Sequence, residues 1–506
     1  MTTGTISDIL KAGADDAPAL SAPGGAPLSY RDLRAQVSDV VQSLAGQGIG
    51  PNDRVGIVLD NGPEMAAAFL SVGSAATAAP LNPTYRAEEF EFYLTDLRAK
   101  LLIVAKGKDS PAIGVAQKLG VPIARLVAHP ERGAGSFTLE YETDNSATAI
   151  PVRAATPDDI ALVLHTSGTT SRPKIVPLAH KNIFASAGNI RRTLSFTDKD
   201  RGLVIMPLFH IHGLIAALSA PLSAGAEVCC SPGFNALKFF SWLGEVKPTF
   251  YTGVPTMHQA ILLRAQGNQE IIKNHRLRFI RSSSSALPPT VIAELERVFG
   301  VPVVEAYGMT EATHQMASNP LAGSRKPGTV GPSGGPEIRI VDETGTTVPR
   351  GQPGEIVIRG PNVMTAYENN PKANADAFYD GWFRTGDQGV MDDDGYVAIT
   401  GRLKEIINRG GEKISPREVD EIIMDHPAVH QCVTFAMPHD MLGEEVAAAI
   451  VLRQGIAATD KELRDFASLR LAPYKVPKKI LILEQIPVGA TGKLQRIGLA
   501  QKLGLA

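Results

Sequence analysis

The sequence predicts an α/β protein with more than one folding unit. Between residues 50 and 330, short Val, Ile and Leu runs alternate with Gly- or Ser-rich breaks and with stretches whose apolar residues recur three and four apart. Apolar runs without period-two alternation are typical of parallel strands buried on both faces. After residue 330 the pattern changes to alternating strands, and 506 residues exceed the size of an ordinary single domain.

Three strand-and-helix pairs illustrate the first pattern. DRVGIVLD precedes GPEMAAAFLSV, KLLIVA precedes AIGVAQKLG, and LRFIRSSSSA precedes LPPTVIAELERVFG. In α/β folds, ligands bind where the parallel strands end. The loops that follow these strands are therefore the expected positions of functional residues.

The second pattern predicts a small antiparallel or barrel-like region and then a separate α+β unit. Apolar and polar residues alternate, as in strands, in PEIRIVDETGTTVPRGQPGEIVIRG and in GYVAIT. The α+β unit that follows has helix candidates SPREVDEIIMDHP and DKELRDFASLRL and strand candidates HQCVTFAM and EVAAAIVL. We place the domain boundary at Gly401, giving domains 1–400 and 401–506 with a hinge near 402–405. Gly401, Gly410 and Gly411 supply the backbone freedom that a hinge or moving loop requires.

Composition excludes several classes of function. Fifty Lys and Arg balance 52 Asp and Glu, so neither nucleic acid nor an anionic membrane is expected as a partner. The apolar stretches are broken by Gly, Pro and Ser before they reach membrane-spanning length. Cys229, Cys230 and Cys432 offer neither a disulfide framework nor metal-site spacing. We expect a soluble cytoplasmic protein, and the sequence leaves the oligomeric state open.

One polar loop follows the buried strand DIALVLH. It combines hydroxyls, a glycine and cations, which suit a polyphosphate. It is not a Walker A loop, because Lys174 is followed by Ile175. The alternative is a flexible polar surface loop. The candidate phosphate-binding residues are Thr166, Ser167, Gly168, Thr169, Thr170 and Lys174.

Further candidates lie on other loops. EAYGMTEATH follows the strand VPVV, and there Tyr307 could stack on a base, Thr310 could contact phosphate and Glu311 could hold Mg²⁺. WFRTGD offers Asp387, whose paired oxygens suit two ribose hydroxyls. Lys493 lies on a Gly-flanked loop, IPVGATGKLQR. Taken singly, each has a structural alternative as a turn cap, a surface acid or a solvated lysine.

In this order and spacing, the segments resemble the adenylate-forming superfamily of acyl-CoA synthetases, nonribosomal adenylation domains and beetle luciferases. The resemblance extends from LSYRDLRAQ to GKLQR. It implies a large N-terminal domain of two stacked α/β sheets plus a small β-barrel, followed by a small mobile C-terminal domain. It also implies ATP, Mg²⁺ and coenzyme A.

The resemblance assigns roles to individual residues. It implies that Lys493 acts in adenylation, that Thr310 and Glu311 serve phosphate and Mg²⁺, and that Lys404 is the hinge. It also places Gly410 and Gly411 beside CoA. The other residues that it assigns to ATP are the phosphate loop named above together with Ser285, Ala306, Tyr307, Asp387 and Arg402.

Within the superfamily, the sequence is most similar to oxalate-CoA ligases. The similarity lies in the segments HTSGTTSRPK, PLFHIHGL, LRFIRSSSSALPP, EAYGMTEATHQMASNPL and INRGGEKISP. His210 and His212 lie two apart, so only one can face the pocket if the segment is extended. With Ser284 and His314 they could bind the second carboxylate of a small diacid, as donors whose charge is tunable near neutral pH. His210 could instead be a packed gate residue.

The expected activity is that of an AMP-forming acid-CoA ligase, with oxalate as the favoured acid. Other short-chain, aryl or fatty acids remain alternatives, as does an adenylation enzyme that loads a carrier protein. A non-enzymatic descendant would have lost Lys493 or Glu311, and both are present. Zinc at the H-x-H pair is disfavoured, because no third and fourth ligand lies at recognisable spacing.

Overall fold

A computed structural model of the chain describes residues 3–143, 148–166, 173–487 and 495–506. Contacts between Cα atoms divide it into two compact units. The first contains the described residues up to Thr166, together with Lys174–Glu337 and Arg359–Ala375. The second contains Ile338–Ile358 and the described part of Asp376–Ala506. The domain boundary at Gly401 stays a prediction.

The first unit contains two mixed sheets whose central strands are parallel. In spatial order, the eight-stranded sheet comprises His314–Ser318, Val303–Met309, Phe279–Ser282, Phe250–Gly253, Arg201–Val204, Glu227–Cys230, Pro18–Ser21 and Leu28–Ser29. The seven-stranded sheet comprises Phe137–Tyr141, Ile123–Ala128, Leu101–Ala105, Arg54–Val58, Thr77–Pro80, Ile160–Thr166 and Lys174–Ala179. The α/β prediction is confirmed, because the apolar runs form these parallel strands.

One helix lies between the two sheets. Pro63–Ala75 contacts strands of both sheets, and every residue from Met65 to Ala75 is buried. Its sequence, PEMAAAFLSVGSA, has no charged face after Glu64, as is typical of a helix enclosed on all sides. The predicted stacking of two sheets is therefore confirmed in the first unit.

The remaining helices of the first unit connect the strands, and several of them begin and end at residues that favour helix termini. Ser29 and Ser110 cap helix N-termini, whereas Gly120 and Gly300 end helices in the left-handed conformation. The α-helices are Ile6–Leu10, Tyr30–Gly46, Ala87–Leu97, Pro111–Leu119, His180–Thr193, Ala220–Leu222, Phe239–Val246, Pro255–Ala265, Gln269–Lys273 and Pro289–Phe299. His212–Ser219 is a π-helix, and 3₁₀ turns occupy Pro130–Arg132, Gln266–Asn268 and Thr310–Ala312.

The second unit contains two five-stranded sheets. The first comprises Glu337–Val341, Gly354–Arg359, Trp382–Met391, Phe378–Tyr379 and Val397–Arg402. The second comprises Glu412–Ile414, Ile407–Arg409, Gly443–Leu452, Val429–His439 and Lys479–Ile482. Its helices are Pro416–Met424, Asp460–Ser468 and Leu499–Lys502, with a 3₁₀ turn at Leu403–Glu405, and Pro371–Ala377 connects the units along the chain. The predicted C-terminal strands and helices are confirmed.

Among the described residues, every helix is too short or too polar to cross a bilayer.

Candidate active site

Two neighbouring strands bring the predicted adenine-binding residues to one sheet edge. Phe279–Ser282 and Val303–Met309 run parallel, with Ser282 opposite Glu305. The hydroxyl of Ser283 donates to the carbonyl of Ala306 at 2.8 Å, which joins the loop after one strand to the other strand. Ser285 is exposed on this loop, and Tyr307 is buried on the adjacent strand.

A tyrosine that the sequence analysis missed links two predicted ATP-binding residues. The Tyr367 hydroxyl donates to Glu311 Oε1 at 2.8 Å, and Lys174 Nζ lies 4.5 Å from the Tyr367 ring centroid. Burial, and then the neighbouring Glu311 carboxylate, raise the pKa of Tyr367 above its usual value, so it remains a donor. Glu311 is itself buried, in the 3₁₀ turn that begins at Thr310.

The phosphate loop lies mostly outside the described residues. Thr166 and Lys174 are opposite each other on paired antiparallel strands, so the two ends of the loop are adjacent. Ser167, Gly168, Thr169 and Thr170 fall outside the described part of the chain, as does Lys493.

A buried polar cluster lies in the eight-stranded sheet, behind the strand end that carries Ser283. Arg281 Nη1 is 3.3 Å from His212 Nε2 and 3.2 Å from His314 Nε2. The two imidazoles stack with ring centroids 4.7 Å apart. All three side chains are at most 1% exposed. The predicted diacid residues His212 and His314 therefore meet around an arginine that the sequence analysis did not select.

Three further side chains complete this Arg281 cluster. His212 Nδ1 is 3.0 Å from the Ser284 hydroxyl, and His212 Nε2 is 2.6 Å from the Thr252 hydroxyl. Gln315 Oε1 accepts from Arg281 Nη2 at 3.2 Å. The cluster thus includes Ser284, which was predicted, and Thr252 and Gln315, which were not.

The segment that carries the two neighbouring histidines is not extended. His210 lies in a turn, and His212 begins the π-helix His212–Ser219, whose residues are all buried. The backbone N–H of His212 donates to His210 Nδ1 at 3.2 Å. The alternation argument therefore does not apply, because consecutive side chains point to opposite faces only in a strand. His212 enters the cluster, and His210 lies partly exposed beside it.

The charge of the cluster resides on the arginine. Burial, followed by nearby positive groups, lowers the pKa of His212 and of His314 well below the usual value, so both imidazoles are neutral at pH 7. Burial lowers the pKa of Arg281 to about 9, which leaves it protonated at pH 7. The prediction that these histidines change charge near neutral pH is therefore wrong for this arrangement.

Arg281 lacks an anionic partner within the described part of the chain. No carboxylate there forms an ion pair with it, and its buried Nε has no hydrogen-bond partner. A buried charge without a counter-ion costs several kcal/mol in principle, so it is rarely found without a functional reason. The cluster has the chemistry of an anion site: one fixed cation, neutral N–H donors and a hydroxyl.

Three of the nine described non-glycine residues with positive φ lie at the same place. Ser284, Thr313 and His314 have φ values of 73°, 49° and 89°, which are unfavourable for residues with a side chain. The surrounding structure maintains this geometry, since the Thr313 hydroxyl donates to the carbonyl of Asn362 at 2.7 Å. Strain of this kind costs about 1–3 kcal/mol per residue and is enriched at functional sites.

The second unit brings another predicted pair together. Asp387 and Arg402 are register partners on adjacent antiparallel strands, and Arg402 Nε lies 3.2 Å from Asp387 Oδ1. Lys404 is exposed in the 3₁₀ turn Leu403–Glu405. Gly410 and Gly411 form a turn with φ values of 58° and 99°, a conformation that favours glycine.

Cys229, Cys230 and Cys432 are buried free thiols. Within the described ranges, no group of three or more His, Cys, Asp or Glu side chains is arranged to hold a metal ion.

Family models account for most of the chain. The model described as AMP-binding enzyme matches residues 11–368, and that of the AMP-binding enzyme C-terminal domain matches residues 418–493. The chain belongs to the AMP-binding enzyme family. The resemblance proposed from the sequence motifs is thereby confirmed.

Similar proteins cover this AMP-binding enzyme almost completely. An oxalate–CoA ligase of Arabidopsis thaliana is 43% identical, with 99% of each chain covered. An oxalate–CoA ligase of Saccharomyces cerevisiae is 42% identical, covering 94% of this chain and 92% of the yeast protein. The crystal structure of ATP-bound MatB from Rhodopseudomonas palustris is 30% identical and matches with a TM-score of 0.88 over 99% of each chain.

Proposed function

We propose that the protein is an AMP-forming CoA ligase whose acid substrate is oxalate. In the first step a carboxylate oxygen attacks the α-phosphorus of ATP, giving oxalyl-AMP and releasing pyrophosphate. In the second step the CoA sulfur attacks the activated carbonyl carbon, AMP leaves and oxalyl-CoA forms. The two oxalate–CoA ligases, at 42–43% identity over nearly the whole chain, support this reaction.

The observation that carries the choice of acid is that the buried Arg281 has no carboxylate partner among the residues that the structure describes. One carboxylate of a diacid must react, so the other needs a binding site of its own. A carboxylate placed at the Arg281 cluster would supply the missing counter-charge and accept hydrogen bonds from its donors. An aliphatic acyl chain offers neither, and would leave the cation buried and uncompensated.

The other cluster residues have complementary roles. His212 and His314 are neutral at pH 7, so they do not compete with Arg281 for the anion. His314 has one N–H to donate, and His212 acts through the Ser284 hydroxyl that it contacts. Ser284 is the partly exposed member of the cluster, and its hydroxyl is the group nearest to an incoming ligand. His210 would border the same space from the turn that precedes the π-helix.

The motif residues have separate roles in binding ATP. Tyr307 and the neighbouring backbone at Ala306 and Ser285 would hold adenine, and Asp387 and Arg402 would hold the ribose. The loop from Thr166 to Lys174 and the Thr310 hydroxyl would bind the phosphates.

Glu311 fits a Mg²⁺ site in chemical terms, since Tyr367 engages Oε1 and carboxylates retain further acceptor positions. The ion would neutralise charge on the phosphate oxygens.

The C-terminal residues would act in turn. We propose that Lys493 stabilises the charge that develops during adenylation, and that rotation at Lys404 then brings Gly410 and Gly411 beside CoA. Three free thiols also favour a cytoplasmic location.

A substrate screen tests the proposal. AMP and pyrophosphate release would be measured with oxalate, malonate, sulfoacetate, acetate, benzoate, coumarate and fatty acids, each with and without CoA. We expect oxalate to give the highest kcat/KM and the product to be its CoA thioester. A higher value for a medium-chain or aryl acid would refute the diacid site, and formation of ADP would refute the reaction itself.

If a dianion other than oxalate gave the highest kcat/KM, the proposed anion site would stand, and only the length of the acid that it accepts would differ. Transfer to a phosphopantetheine carrier in preference to free CoA would instead indicate the carrier-loading alternative.

A further inference from the structure

A chain of hydrogen bonds runs from the interior of the sheet to the exposed side of the Arg281 cluster. It begins at the Thr252 hydroxyl, which is 2.6 Å from His212 Nε2, and continues from His212 Nδ1 to the Ser284 hydroxyl at 3.0 Å. Thr252 is 1% exposed and His212 is fully buried, whereas Ser284 is partly exposed. We call Thr252, His212 and Ser284 the relay.

The arginine favours one orientation of the relay. A guanidinium group can only donate, so an imidazole nitrogen that is hydrogen-bonded to Arg281 Nη1 is an acceptor. Nη1 lies 3.3 Å from His212 Nε2, 3.2 Å from His314 Nε2 and 3.4 Å from the Thr252 hydroxyl. In the arrangement that the proposal below requires, the neutral His212 ring accepts at Nε2 and carries its proton on Nδ1.

This tautomer fixes every donor and acceptor in the relay. The Thr252 hydroxyl must donate to His212 Nε2, because that nitrogen has no hydrogen. His212 Nδ1–H must then donate to the Ser284 oxygen. The Ser284 oxygen then accepts from His212, and its own hydrogen is available to be donated to a ligand.

Gln315 holds the Arg281 guanidinium group in its orientation. Gln315 Oε1 accepts from Arg281 Nη2, and Gln315 Nε2 donates to the carbonyl of Gly334 at 3.0 Å. Since this second bond fixes which end of the amide is the acceptor, the guanidinium group remains directed at the two histidines. The contacts that favour this polarity of the relay are therefore made within the protein.

We propose that Thr252 is a specificity-determining positioning residue, which holds the relay so that Ser284 presents a donor toward the substrate. The inference rests on the proposed function, because it assumes that an acid binds at the Arg281 cluster. A donor-only surface accepts a second carboxylate and rejects groups of the same size that carry their own hydrogens, such as an amide or a hydroxyl. Oxamate and glycolate are the corresponding isosteres of oxalate.

Substitution of Thr252 tests the proposal. Thr252→Val keeps the shape and removes the donor, Thr252→Ser restores it, and Thr77→Val is the matched control. Thr77 is likewise fully buried and donates a 2.6 Å bond, in its case to the carbonyl of Ile160 in the other sheet. KM values for oxalate and ATP would be measured, with inhibition constants for oxamate and glycolate.

We expect Thr252→Val to raise the KM for oxalate about 3- to 20-fold, as the loss of one buried hydrogen bond implies, with the KM for ATP changed less than twofold. The preference for oxalate over oxamate should fall by a similar factor, and Thr252→Ser should recover it. An effect no larger than that of Thr77→Val, or a parallel loss of oxalate and ATP binding, would overturn the proposal.

A spectroscopic measurement shows which nitrogen of His212 carries the proton, and it does so independently of activity. Two-bond ¹⁵N–¹H spectra of histidine-labelled wild-type protein, with the signal assigned by His212→Gln, should show His212 protonated on Nδ1. Protonation on Nε2 would overturn the relay even if oxalate is the substrate. Conversely, a wild-type enzyme that neither binds nor converts oxalate refutes the proposed function, and the spectrum still reports the tautomer.

Discussion

Two buried histidines outside the relay should make the first unit sensitive to acid. His180 is 1% exposed and accepts a hydrogen bond from the Ile6 N–H at 3.1 Å. His258 is fully buried, with its Nδ1 3.3 Å from the Tyr251 hydroxyl. Burial lowers the pKa of each histidine to about 4, from an ordinary value of 6.5. Both imidazoles are therefore neutral in the folded protein at pH 7.

The sign of the effect follows from proton binding. Between pH 6.5 and 4 the unfolded chain protonates these histidines and the folded chain does not, so acid favours unfolding. Their contribution is fully present above pH 6.5 and is lost as the pH falls toward 4. With 1.36 kcal/mol per pKa unit, each histidine accounts for a loss of about 2 kcal/mol between pH 7.5 and pH 5.

Urea unfolding at pH 7.5 and pH 5.0 measures this loss. We expect His258→Gln to reduce the drop in unfolding free energy between the two pH values by about 2 kcal/mol, because glutamine does not titrate. If His258→Gln and wild type lose the same free energy, the folded protein must protonate His258, and the reasoning is refuted.

Four further predictions concern the reaction. Arg281→Gln should lower kcat/KM for oxalate about 10- to 150-fold, as expected for a lost charge-assisted contact, while calorimetry shows ATP binding retained. Glu311→Gln should lower kcat by about two to three decades, measured as pyrophosphate release at saturating Mg²⁺. Lys493→Ala should slow formation of acyl-AMP but spare conversion of supplied acyl-AMP with CoA; equal loss in both half-reactions would contradict the rotation. Lys404→Pro, assayed in the same two half-reactions, should permit adenylation and block thioester formation, because proline fixes φ.

The sequence was sufficient to predict those parts of the fold that depend on local pattern. Continuous apolar runs such as RVGIV and LLIVA became central strands of the seven-stranded sheet, because both faces of these strands are covered. The Pro-started helix after the SSSS run formed at Pro289–Phe299. In each case the residues that determine the element lie within a few positions of one another.

The anion site could only be predicted in part, because it depends on contacts between distant segments. Arg281 lies 69 residues from His212 and 33 from His314, and the sequence gives no measure of its burial. In FIRSSSS the arginine resembles an ordinary strand residue with an exposed side chain. The π-helix that begins at His212 could not be predicted either. The alternation argument assumed an extended segment, and tertiary packing overrides such local expectations.

Several departures from ordinary folding rules coincide at the proposed acid site. Arg281 is a buried cation without a partner carboxylate in the described ranges, and Ser284 and His314 are non-glycine residues with positive φ. Each departure costs folding free energy, and nearby hydrogen bonds from Gln315 and Thr252 hold the geometry without removing that cost. Single departures also occur elsewhere among the described residues, such as the positive φ of Asn52 and the unpartnered Asn189 Nδ2. At this cluster, however, a buried cation without a carboxylate partner adjoins residues with positive φ, and this combination is typical of functional sites. It therefore favours a binding role for Arg281 over a purely structural one.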